Sequence, residues 1–208
     1  MKELWEKYRV CGILRGIPQE WLLNYVQTAM DGGIRLFEVA MNSQDGEQQI
    51  RTLKKELGNS ICVGAGTVTT LERCKAAADA GAEFFLTPCV NRAVLEFCVE
   101  NKIPILPGVM TPTDVSVCME YGCSVMKLFP AGSLPKDYIK SLKGPFDGTE
   151  YVAVGGVKLE NAAGFIEKGF LGVGIGSGLI SKEQMEKGNW GEAKDGIASM
   201  MAQVKCCL

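Results

Sequence analysis

One unit repeats along the whole chain: four to seven apolar residues, a turn, a stretch with helical spacing, often a glycine, then the next apolar run. The runs begin near Val10, Ile34, Ile61, Phe84, Ile103, Val125, Tyr151 and Leu171, eight in all. Short apolar runs alternating with helical stretches indicate βαβ units and a parallel sheet. The helical stretches are well marked. Over 18–30, Trp21, Leu22, Tyr25, Val26 and Ala29 form one face, with Pro18 at the start and Gly32-Gly33 at the exit. Later exits fall at Gly58, Gly81, Gly122 and Gly169, as left-handed helix ends require. Eight such units predict an α/β fold, one closed (β/α)₈ barrel over residues 1–208. An N-terminal helix precedes it, and a last helix over 190–208 packs outside. A doubly wound open sheet is the alternative, because strand number alone does not dictate closure. In a barrel, chemistry gathers at the C-terminal ends of the strands.

Composition removes several classes. The 208 residues carry a net charge of −2, so no global positive field draws in nucleic acid. No stretch approaches the roughly 18 apolar residues of a membrane helix. The start, MKELWEKYRV, is charged and has no apolar h-region, so no signal peptide is expected. Nine scattered cysteines without a C-x-x-C are read as reduced, cytoplasmic thiols, most of them small core hydrophobes. Histidine is absent, which excludes Ser-His-Asp and Cys-His catalysis and histidine zinc sites. Proton transfer is left to Glu, Asp, Lys, Tyr, Cys, water or substrate.

The strand ends then show where polarity breaks the apolar pattern. Arg15 ends the first run and is placed to fork an anionic group. Glu38 lies inside the apolar run 36–40, where burial raises a carboxyl toward neutrality and suits it to acid/base work. In VGAGTV (63–68), the GAG lacks the third glycine of a dinucleotide fingerprint; Thr67 at a tight turn facing substrate is preferred. Thr87 and Pro88 sit at the fourth strand end, where they would shape a rigid rim of the substrate pocket; ordinary turn chemistry is the competing reading. In the sixth run, Val125, Lys127 and Phe129 share a face. Desolvation leaves some Lys127 amine neutral, a nucleophile for a carbonyl carbon; snorkelling to the rim is the competing reading. The seventh and eighth ends, with Gly155-Gly156 and Gly176-Ser177, match the loops where barrels bind phosphate. An amine, a carboxyl, an arginine and a phosphate cradle fit Schiff-base chemistry on a phosphorylated keto acid, without a metal or cofactor.

These residues resemble the class I aldolases for 2-keto-3-deoxy-6-phosphogluconate and 4-hydroxy-2-oxoglutarate. The motifs run in order: ILRG (13–16), FEVAMNS (37–43), VGAGTV (63–68), TPCVN (87–91), PGVMTPTD (107–114), MKLFPAG (126–132), VAVGGV (152–157) and GIGSGL (174–179). The resemblance implies a homotrimer that takes a phosphorylated keto acid and releases pyruvate. It makes Lys127 the Schiff-base lysine and Glu38 the acid/base. Thr67, Pro88 and Phe129 would line the pyruvyl pocket, and Gly155, Gly156, Gly176 and Ser177 would hold phosphate. Two substrate-contacting positions depart from the commoner pattern: Asn42 stands where many members have Arg, and Val154 where gluconate-type enzymes have Thr. With ILRG, the NS pair and VGG, these resemble the branch acting on the C4 epimer, 2-keto-3-deoxy-6-phosphogalactonate, whereas the MTPT and KLFP stretches resemble the gluconate branch, so the resemblance points both ways on C4 stereochemistry. Three rivals stay open: a metal-free phospho-sugar isomerase or epimerase using Glu38 alone, a non-catalytic phospho-sugar sensor, and a thiol enzyme built on Cys89.

Overall fold

The computed structural model describes residues 1–135 and 137–207. Nine parallel strand segments form one sheet: β1 (Val10–Leu14), β2 (Leu36–Ala40), β3 (Cys62–Gly66), β4 (Phe85–Leu86), β5 (Ile105–Leu106), β6 (Gly108–Val109), β7 (Val125–Leu128), β8 (Glu150–Val154) and β9 (Gly172–Ile175). The order around the sheet is β5-β4-β3-β2-β1-β9-β8-β7-β6. Its two ends, β5 and β6, are separated only by Pro107. β5 pairs with β4 and β6 with β7, and the Lys127 N–H donates to the Pro107 carbonyl at 2.8 Å. The ring therefore closes through this segment, and the open-sheet alternative falls. The single fifth strand expected from sequence is two short segments instead, because Pro107 has no N–H to give a ladder.

The helices are α1 (Lys2–Tyr8), α2 (Leu22–Asp31), α3 (Gly46–Leu57), α4 (Leu71–Asp79), α5 (Arg92–Glu100), α6 (Pro112–Glu120), α7 (Tyr138–Lys143), α8 (Ala162–Glu167), α9 (Lys182–Lys187) and α10 (Trp190–Cys206). Side-chain caps set several starts. Thr70 and Asn91 accept from the N–H groups of Arg73 and Val94, and Thr111–Asp114 and Ser181–Gln184 close reciprocal capping boxes. Pro18 caps a 3₁₀ turn, Gln19–Trp21, and α2 proper begins at Leu22 rather than Pro18. Gly58, Gly81, Gly122 and Gly169 all have positive φ. Leu208, where the predicted last helix ends, lies outside the described residues.

Two apolar layers result from strand alternation. Outward side chains such as Phe37, Val39, Met126 and Leu128 pack under the helices. Inward ones, including Ile13, Leu36, Leu86, Leu106, Val125 and Val152, fill the barrel with Trp5 of α1. Trp5 is fully buried and closes the N-terminal end; a Cβ on Gly172 would stand 2.6 Å from its ring. The cysteines fit the expectation only in part. Cys11, Cys74, Cys98 and Cys118 are buried, Cys62, Cys123 and Cys207 half-buried, and Cys89 and Cys206 exposed; all nine are free thiols. Among the described residues no helix is long and apolar enough to cross a membrane.

Candidate active site

The inward alternation that buries Leu36 and Val125 carries Glu38 and Lys127 into the barrel one layer nearer its C-terminal end. Register sets Glu38 between Ile13 and Gly64, and Lys127 between Gly108 and Val152. Glu38 is 0% exposed and neither carboxyl oxygen has a hydrogen-bond partner. Room for it comes from Gly66, where any Cβ would fall inside the Glu38 carboxyl. Lys127 is 4% exposed, with Nζ 5.0 Å from the centre of the Phe129 ring.

Burial dominates the protonation of both groups. It lifts the Glu38 carboxyl above its ordinary range, and the opposing charges of Lys127 and Arg15 do not offset it. It lowers the Lys127 amine; Glu38 pulls the amine back up and Arg15 pushes it further down. Each group is thus held toward its neutral form.

The mouth is built from strand ends. Arg15 is exposed, with its guanidinium held by Asn42 Oδ1 at 2.7 Å and Thr67 Oγ1 at 3.0 Å. Thr67 has φ +56°, a costly backbone for a branched residue. The Arg73 guanidinium supports that turn by donating to the Thr67 carbonyl at 3.3 Å and to Thr69 Oγ1 at 2.8 Å. On the far side the Gly155 carbonyl accepts from Gly132 N–H at 2.8 Å. Gly155 and Gly156 have φ of +87° and +74°, and a Cβ on Gly155 would stand 3.1 Å from the Phe129 ring. Asn161 braces this loop: its amide donates to the Gly156 carbonyl at 3.0 Å, and its Oδ1 accepts from Lys158 N–H at 2.8 Å.

One cavity of about 570 Å³, within the usual size of small-molecule sites, gathers eleven of the sequence-derived residues. They are Glu38 and Lys127 at its depth, Arg15, Thr67, Pro88, Phe129 and Val154 on its walls, and Gly155, Gly156, Gly176 and Ser177 at its rim. Two expected substrate contacts lie outside the lining. Asn42 is exposed and accepts a hydrogen bond from Arg15, which does line the cavity. Thr87 is buried; its hydroxyl donates to the Cys89 carbonyl at 2.7 Å and accepts from Gly108 N–H at 3.1 Å, which braces two strand ends. The cavity also reaches Ile13, Val157, Lys158, Gly174 and Gly178, which sequence reasoning passed over. Lys158, two residues after the glycine pair, carried the readable signal: a cation in a phosphate-type loop. Cys89 is exposed and lies outside the lining. The arrangement supplies a desolvated amine, an acid/base and a backbone-rich anion cradle along one cavity, which suits addition to a carbonyl followed by proton transfer.

Known proteins share this chain's pattern over nearly its full length. The family profile described as KDPG and KHG aldolase matches residues 1–195. The 2-dehydro-3-deoxy-6-phosphogalactonate aldolase of Escherichia coli (strain K12) is 35% identical over 180 residues, 86% of this chain and 87% of that protein. The 2-dehydro-3-deoxy-phosphogluconate aldolase of Treponema pallidum (strain Nichols) is 29% identical over 191 residues, 91% of this chain and 90% of that one. A solved structure described as native KDPGal superposes with a TM-score of 0.86 at 30% identity, covering 97% of this chain and 96% of the other.

Proposed function

Because the chain belongs to the KDPG and KHG aldolase family, we propose that it is a Schiff-base aldolase. It cleaves a 2-keto-3-deoxy-6-phosphohexonate to pyruvate and glyceraldehyde 3-phosphate, with 4-hydroxy-2-oxoglutarate as a shorter substrate giving pyruvate and glyoxylate. The observation that carries this reading is a 4%-exposed lysine amine in the same cavity as a fully buried carboxyl. The Lys127 amine adds to the C2 ketone. The carbinolamine loses water with Glu38, directly or through a water molecule, delivering the proton, and a protonated imine forms. Glu38, now a carboxylate, takes the C4 hydroxyl proton. The C3–C4 bond breaks, its electron pair enters the iminium as an enamine, and the aldehyde leaves. Protonation at C3 and addition of water return the free amine and pyruvate. Arg15, oriented by Asn42 and Thr67, receives the substrate carboxylate. Phosphate held at the rim supplies positioning energy for the reacting carbons.

Within this activity the gluconate epimer is the first reading. Specific observations favour the galactonate epimer as a second. Arg15 is clamped by Asn42 where many relatives have an arginine, Val154 gives the cavity wall no hydroxyl beside the glycine pair, and a galactonate-type relative stands at 35% identity. Kinship also carries the expectation of a homotrimer of single-domain barrels in the cytoplasm. The isomerase or epimerase reading leaves the buried amine without a covalent role and differs in its outcome. Borohydride reduction in the presence of pyruvate, followed by peptide mapping, is expected to leave a stable adduct on Lys127. An adduct on another lysine, or none, overturns the proposal. Pyruvate release from each pure epimer then decides the C4 preference.

A further inference from the structure

Three basic side chains line the cavity: Arg15, Lys127 and Lys158. The first is held by Asn42 and Thr67, and the second lies at the depth of the barrel. Lys158 is different. It is exposed, and it takes part in none of the nine ion pairs found among the described residues. Its backbone is nonetheless fixed. Asn161 accepts from its N–H at 2.8 Å, and the N–H of Ala162 donates to its carbonyl at 3.1 Å. Its stem lies across the next loop: a Cβ on Gly178 would stand 3.3 Å from Lys158 Cα and Cγ. The start of the side chain therefore bridges the loop after Gly155-Gly156 and the loop at Gly178, both of which line the cavity. A backbone cradle supplies dipoles but no net charge. Among the described residues Glu38 is the only acidic side chain lining the cavity, and it sits at the depth, away from this amine.

We infer that Lys158 is the side-chain ligand of the substrate's distal phosphate and sets the preference for phosphorylated keto acids. This rests on the aldolase reading above. The amine adds full charge to a cradle that otherwise acts through dipoles, and it reaches the far end of the substrate without touching the reacting carbons.

The test compares wild type with Lys158→Gln and Lys158→Arg. Lys158→Gln is expected to raise KM for the cleaved 6-phospho epimer about tenfold, the scale of one charge-assisted hydrogen bond, with a much smaller change in kcat. Borohydride trapping of pyruvate, which has no phosphate, is expected to change less than about twofold, and Lys158→Arg to recover most of the lost KM. Stabilisation against thermal unfolding by inorganic phosphate should shrink in Lys158→Gln and persist in Lys158→Arg. An unchanged KM and phosphate shift in Lys158→Gln overturn the inference, as does an equal loss with pyruvate. If wild type traps no pyruvate on Lys127, the aldolase reading fails instead, and the phosphate shift still judges Lys158 by itself.

Discussion

Glu38 exists where it does because residue 66 has no side chain. The carboxyl occupies the space that any Cβ there would take, and no hydrogen bond rewards it for being dry. Such a group makes folding depend on pH with a definite sign. Its folded pKa lies above the unfolded one, so between the two the native state binds the extra proton, and stability falls as pH rises. Glu38→Gln removes that dependence. Relative to this variant, wild type is expected to lose up to about 1.4 kcal/mol per pH unit as pH climbs from the ordinary carboxylate range toward the raised Glu38 value. Denaturant titrations at stepped pH measure the difference. The same variant should lower kcat about 10²- to 10⁴-fold, the usual contribution of a positioned acid/base. Both deep residues were legible in the sequence, because a charge inside an apolar run contradicts its surroundings whatever the fold. Asn42 was legible only in part. Its partner Arg15 is 27 positions away, and only the barrel brings them together, so the hydrogen bond that orients the guanidinium leaves no trace in the local sequence.

At the scale of elements, alternation and helix punctuation located the strands and helices, and the structure adds their order and what punctuates the interior. Thr87 at one strand end ties Gly108 of the next segment, a role that a threonine beside a proline does not advertise. The 3₁₀ turn before α2 and the division at Pro107 are local backbone choices that apolar spacing does not encode. α1 shows how a short helix outside the repeat earns its place. Seven residues long, it delivers Trp5 into the base of the barrel. Trp5→Ala is expected to destabilise the fold by about 3–5 kcal/mol, as large core truncations do. Chemical denaturation checks the loss. The fraction still folded should trap pyruvate on Lys127 as wild type does, since the cavity lies at the other end.

For the whole molecule, closure is the property with the widest reach. An open sheet has two edges whose amides exchange readily, whereas a closed ring has none. The N–H groups of Lys127 and Phe129 donate to the carbonyls of Pro107 and Val109, across the segment where the ring joins. Hydrogen exchange at these amides is therefore expected to be as slow as in β1 and β2; fast exchange there would mean that the barrel opens at Pro107. Eight repeats made closure the favoured reading from sequence, but the join itself is a matter of register and visible only in three dimensions. A floor sealed by Trp5 has a final consequence for traffic. With the base closed and the pyruvyl fragment bonded deepest, departures on the proposed chemistry must queue: the aldehyde goes first, and the keto acid follows once water has come in behind it.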